Sequence, residues 1–201
     1  DPTLLVHQKH PIGNQLISHY MERDYPVPAT FQDFVYVSQL LQARGMRTAF
    51  EAHRRAKPRT MGTLYWQLND TWPVVSWSSR DHSGRWKALH YAAREAFAPI
   101  LISPVLNGDR LEVWGVSDLT VAVEGTLTLE LMDFSGELLW QTSAVASLQP
   151  NQSQLLWEGP ASSILGTGDS RQADMVGEYV REGTRGDPLP SLLYFHPPRE
   201  L

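Results

Sequence analysis

The chain has 201 residues, 42% hydrophobic and 19% charged, a balance that supports a packed core and argues against global disorder. Net charge is -5 with no basic stripe, which argues against a nucleic-acid partner, and the absence of cysteine excludes disulfides and thiolate metal sites. No apolar run approaches the roughly 20 residues of a membrane span, so no membrane partner is implied, and the compartment is left open.

The chain reads as two halves of different texture, with a boundary at 103/104. The first mixes loops, two helical patterns and one strand. Pro26 and Pro28 keep the approach to the first helix extended. Thr30 and Asp33 have capping-box spacing, and Phe34, Val37, Leu41 and Ala49 recur at helical spacing over 30–57. Arg54, Arg55 and Lys57 suit the negative end of that helix, and Pro58 stops it.

A strand is predicted over 62–69, with Leu64, Trp66 and Leu68 on one face and Thr63, Tyr65, Gln67 and Asn69 on the other. Asp70-Thr71-Trp72-Pro73 leaves it as a loop. A second helix is predicted over 83–97, burying Trp86, Leu89, Ala93 and Phe97. One strand between two helices cannot close a sheet. Exposed apolar side chains are therefore expected at Phe34, Leu41, Trp86 and Phe97.

Beyond residue 104, short alternating strands dominate. Leu111, Val113 and Gly115 share one face; Val123, Leu127, Leu129 and Leu131 share another, with Thr126, Thr128 and Glu130 opposite. Asp133-Phe134-Ser135-Gly136 signals a turn. Further strands are predicted over 137–140, 144–148, 154–157, 175–180 and 192–195, with a long polar loop at 159–174. About seven such strands predict an antiparallel sandwich. Trp114, Trp140 and Trp157 are read as its core.

The segment 61–103, MGTLYWQLNDTWPVVSWSSRDHSGRWKALHYAAREAFAPILIS, closely resembles the end of the catalytic barrel in β-mannosidases of glycoside hydrolase family 2. HQKHPIGNQLI at 7–17, the stretch 23–45 and LLYFHPP at 192–198 are similar to that family as well. The resemblance implies α/β plus all-β architecture: the C-terminal portion of a (β/α)8 barrel over 1–103, then an immunoglobulin-like sandwich over 104–201. Strand 62–69 would be the last barrel strand, and its C-terminal end would face the active site.

Retaining hydrolysis of a β-mannoside needs two carboxyl groups about 5–5.5 Å apart. The family supplies them from Asn-Glu and Ser-Glu motifs, and neither dipeptide occurs in the chain. The resemblance implies that both lie upstream of Asp1, in missing N-terminal domains of the same polypeptide, and that the 201 residues alone are inactive. Asp70, Glu51 and Asp81 are poor substitutes, being placed on different elements. The implied substrate-binding residues are Trp66, as a floor under the sugar, with Gln67, Asn69, Asp70 and Trp72 around it. The implied partner is a β-mannoside or manno-oligosaccharide, with no metal or organic cofactor. Two other readings remain open: a sister family 2 glycosidase such as a β-galactosidase, β-glucuronidase or exo-glucosaminidase, and a non-catalytic carbohydrate-binding or scaffolding module. His7 and His10 are read as loop braces rather than metal ligands, and His90 as a packing residue.

Overall fold

A computed structural model describes residues 2–166, 168–183 and 190–201. Contacts divide the chain into two compact units. The first is Asp1–Phe50 with Gly62–Ala96; the second is Glu51–Met61 with Phe97–Leu201.

The first unit carries helices α1 (Pro2–Val6), α2 (Gly13–Asp24), most of α3 (Phe31–Arg55) and α4 (Ala88–Ala96). The start of α3 pairs the expected residues, Thr30 capping the helix: the Asp33 amide donates to the Thr30 hydroxyl oxygen at 3.2 Å, and that hydroxyl, where a full capping box would use the Thr30 amide, donates to the Asp33 carboxylate at 2.7 Å. Ala43, Met46 and Phe50 line the inward stripe of α3. Phe50 packs with Leu89, Ala93 and Ala96 of α4 and with Tyr65. Helix α4 is shorter than expected. Trp86 lies ahead of it, where Arg80 and Trp86 form an isolated antiparallel bridge and the indole stacks on His90 at 3.7 Å. Trp86 and Phe97 are exposed as expected, whereas Phe34 and Leu41 are half-buried.

The expected strand 62–69 is not a strand. Among the described residues its one ladder contact is a bridge from Asn69 to Arg80, and no neighbouring strand pairs with it. A parallel strand needs partners distant in sequence, which periodicity cannot supply. The alternation itself survives: Thr63, Tyr65 and Gln67 are half-buried, and Leu64, Trp66 and Leu68 are exposed.

Among the described residues, the second unit is a two-sheet sandwich of seven strands: β1 (Ile100–Asn107), β2 (Arg110–Ser117), β3 (Val123–Asp133), β4 (Leu138–Leu148), β5 (Ser153–Pro160), β6 (Ala173–Arg181) and β7 (Ser191–Tyr194). The sheets run β1-β2-β5 and β4-β3-β6-β7, with antiparallel pairing throughout. The inward sets are the expected ones, with Leu111 and Val113 facing Leu127, Leu129 and Leu131 in one cluster. Trp140 and Trp157 pack against that cluster, their rings 5.7 Å apart.

Three expectations are corrected. Strand β1 was not among the predicted strands and runs across the expected boundary at 103/104; it is an edge strand, where the missing amide hydrogen of Pro104 is tolerated. Segments 137–140 and 144–148 form one continuous edge strand, β4. The polar loop 159–174 contains helix α5 (Ala161–Leu165) and a 3-10 turn, Ser170–Gln172. The turn 133–136 is as expected: the Asp133 carboxylate accepts from the amides of Ser135 and Glu137, both at 2.9 Å, and Gly136 takes φ 88°.

The basic residues ending α3 do more than complement its dipole. Within the second unit Arg54 donates to the Asp118 carboxylate at 2.8 Å and to the Ala98 carbonyl at 2.8 Å. Lys57 donates to Asp118, to the Ser117 carbonyl and to Asn151. Ser103 donates to the buried Glu51 carboxylate at 2.9 Å.

Candidate functional site

The site is built on residues 65–80 of the first unit. Tyr65 turns inward, its ring 5.7 Å from that of Phe50. Trp66 turns the other way and is 77% exposed, in line with Leu64 at 99%. A large indole this open on a tethered backbone offers a flat apolar face to solvent, with its N–H as a polar edge.

Gln67, one of the implied substrate-binding residues, lies on the Tyr65 side and is an anchor. Its side-chain oxygen accepts from the Trp77 indole N–H at 3.3 Å, and its amide nitrogen donates to the Asn69 carbonyl at 2.8 Å. The alternation then breaks. Asn69, expected on the same side as Gln67, is exposed, and Asp70 is only 3% exposed.

Asp70 is turned in by hydroxyls of Ser76 at 2.7 Å and Ser78 at 2.5 Å, and by the Lys87 ammonium at 3.2 Å. Burial pushes its carboxyl upward, but the hydrogen bonds from Ser78 and Ser76 and the charge of Lys87 outweigh this and hold it below its ordinary value. A carboxylate so occupied stays ionised and has little left for a ligand. An open, polar depression of about 250 Å3 lies beside Asn69, walled by the turn 80–84. Asp81 organises that turn: its carboxylate accepts from the Arg85 amide at 2.8 Å and pairs with the Arg85 guanidinium at 3.1 Å.

Trp72 is partly exposed, and its ring sits 5.6 Å from that of His7. His7 is a loop brace: Nδ1 lies 2.6 Å from the Pro73 carbonyl, and Gln8 and Val75 form a parallel bridge. His10 accepts from the Ile12 amide at 3.3 Å. Trp66, Asn69 and Trp72 are therefore the predicted site residues that face solvent, and Gln67 and Asp70 hold the backbone between them. The supporting residues Ser76, Ser78, Ser79 and Lys87 were not singled out from sequence. Their signal was three serines within four positions in an apolar-aromatic stretch, two of which are fully buried.

Residues 109–199 match the family described as Mannosidase Ig/CBM-like domain. A β-mannosidase of Bos taurus is 34% identical over 207 residues, covering 94% of this chain and 23% of its own. β-Mannosidase A of Aspergillus clavatus is 40% identical over 129 residues, covering 58% of this chain and 14% of its own. Among solved structures, a β-D-mannosidase from Dictyoglomus thermophilum superposes with TM-score 0.88 at 27% identity, over 98% of this chain and 24% of that one. An exo-chitosanase of Amycolatopsis orientalis, at 22% identity and TM-score 0.75, shares the fold over 90% of this chain and 22% of its own. The chain spans about a quarter of the length of the β-mannosidases of Bos taurus and Capra hircus that it matches. In sequence and in fold the chain is similar to β-mannosidases, and its residues 109–199 match the Mannosidase Ig/CBM-like domain family.

Proposed function

We propose that the chain provides the sugar-facing end of a (β/α)8 catalytic barrel, with the sandwich that follows it, in an exo-acting retaining β-mannosidase. The substrate is a terminal β-linked mannose of a mannoside or manno-oligosaccharide. The observation that carries this reading is Trp66: it is 77% exposed on the face opposite Tyr65, in the segment most like the family. Its ring forms the floor beneath the sugar, Asn69 supplies a polar contact, and Trp72 lines the rim. Asp70 and Gln67 hold that surface rather than touch the substrate.

In this reading the paired carboxylates come from polypeptide outside the 201 residues. Within them, Asp70 is buried under three donors, and Glu51 and Asp81 are each engaged by a neighbouring arginine. The chain alone is therefore expected to show no hydrolysis. The test is a panel of nitrophenyl glycosides given to the enzyme that carries this segment in its complete polypeptide. The β-mannoside should dominate, and Trp66→Ala should lower its kcat/KM by roughly tenfold or more, the loss of one aromatic stacking contact. Preferential cleavage of a glucosaminide, galactoside or glucuronide would overturn the substrate assignment.

A further inference from the structure

Trp66 is held by its main chain and by almost nothing at its ring, so its direction depends on what fixes residues 65–68. Beside the Gln67 anchor, the group that does so is Ser79, which is fully buried. Its amide donates to the Gln67 carbonyl at 3.1 Å, and its hydroxyl donates to the Leu68 carbonyl at 3.0 Å. The same hydroxyl oxygen lies 3.1 Å from the Tyr65 hydroxyl, which can donate to it in turn. The Ser79 carbonyl accepts from the Lys87 amide at 2.9 Å, at the start of the approach to α4. One small residue thus grips the chain on both sides of Trp66: its hydroxyl through residue 65 before it and residue 68 after it, and its amide through residue 67. A relay of this kind, Tyr65 to Ser79 to Leu68, aligns its members cooperatively in a site closed to water.

We propose that Ser79 and the Tyr65 hydroxyl form a positioning pair that sets the direction of the Trp66 indole toward the sugar. The substrate half of this statement rests on the function proposed above; the positioning half does not. Binding surfaces gain from groups fixed before the ligand arrives, and a platform free to swing loses that gain.

The experiment labels the chain with 5-fluorotryptophan and reads the fluorine spectrum, with the Trp66 resonance assigned by Trp66→Phe. Ser79→Ala and Tyr65→Phe should each shift or broaden the Trp66 resonance. Those of Trp114, Trp140 and Trp157 in the sandwich should stay in place. Tyr65→Phe keeps the ring against Phe50 and so guards against a simple folding defect. An unmoved Trp66 resonance in both variants overturns the positioning role, whatever the ligand. The second arm measures KM and kcat for the β-mannoside in the complete enzyme. Ser79→Ala should raise KM severalfold with kcat changed less, and should have no further effect in a Trp66→Ala background. Equal effects in both backgrounds overturn the inference. A Trp66→Ala enzyme with unchanged kinetics instead overturns the proposed function and leaves the spectroscopic result standing.

Discussion

Lys87→Met tests the polar centre of the helical unit most directly. The substitution keeps the aliphatic stem and removes the ammonium, which donates to Asp70 at 3.2 Å and to the Ser78 hydroxyl at 2.9 Å. Removing one partner of a buried ion pair costs about 3–5 kcal/mol, because the other charge stays buried. Here Ser76 and Ser78 still donate to Asp70, and the Lys87 side chain retains 16% exposure, so the charge is only partly abandoned. We expect a loss of about 2–3 kcal/mol at neutral pH, read by urea unfolding followed by circular dichroism. The pH dependence supplies a second check. Asp70 has a folded pKa depressed below its unfolded value of about 3.9, so its contribution is present above that value. It is lost as pH falls through the folded pKa. The gap between wild type and Lys87→Met should therefore narrow as pH falls below about 3.9 and through the folded pKa of Asp70, since a protonated Asp70 no longer attracts the ammonium. A gap below about 1 kcal/mol at neutral pH, or one unchanged in acid, would refute the ion-pair account.

Phe50→Ala empties the centre of the α3–α4 cluster, where Phe50 is 1% exposed, and should cost about 3–5 kcal/mol by the same unfolding assay. In the sandwich, Gly125→Ala should destabilise by about 1–3 kcal/mol in a thermal melt, because a methyl there would meet the Tyr179 ring at 2.5 Å and the Val180 carbonyl at 2.6 Å.

The sandwich was legible above all in β3, which has one wet and one dry face, so that Leu127, Leu129 and Leu131 alternate with Thr126, Thr128 and Glu130. Its edges were less legible. Strand β1 was not predicted: its start lies in the segment assigned to the barrel, and it carries Pro104, tolerated because among the described residues β1 has a paired neighbour on one side only. Helix α2 was missed for a different reason: it buries only Met21 and has no side-chain cap at Ile12, so neither a stripe nor a start signal marked it. In the candidate site, the alternation around Trp66 was visible in the residues. The inward turn of Asp70 was not, because its cause lies in Ser76, Ser78 and Lys87, which no local period connects to it.

That turn has a consequence for which residues reach solvent. Strict alternation would have placed Asn69 beside Tyr65 and Gln67, facing the helices. The inward residues are instead Tyr65, Gln67 and Asp70, so the spacing changes from two to three. The inward turn costs Asp70 its hydration, and the Ser76 and Ser78 hydroxyls and the Lys87 ammonium compensate by supplying three donors to its carboxylate. With Asp70 drawn in and the Gln67 side chain fastened to Trp77, Leu68 and Asn69 are both left outside. A polar amide thereby joins the solvent face that carries the Trp66 indole. An apolar ring with a hydrogen-bonding group nearby is what a sugar's C–H face and hydroxyls require. The buried Asp70 acts on that surface through the backbone it bends, which is why its neutralisation should disturb Asn69 before it disturbs the helices.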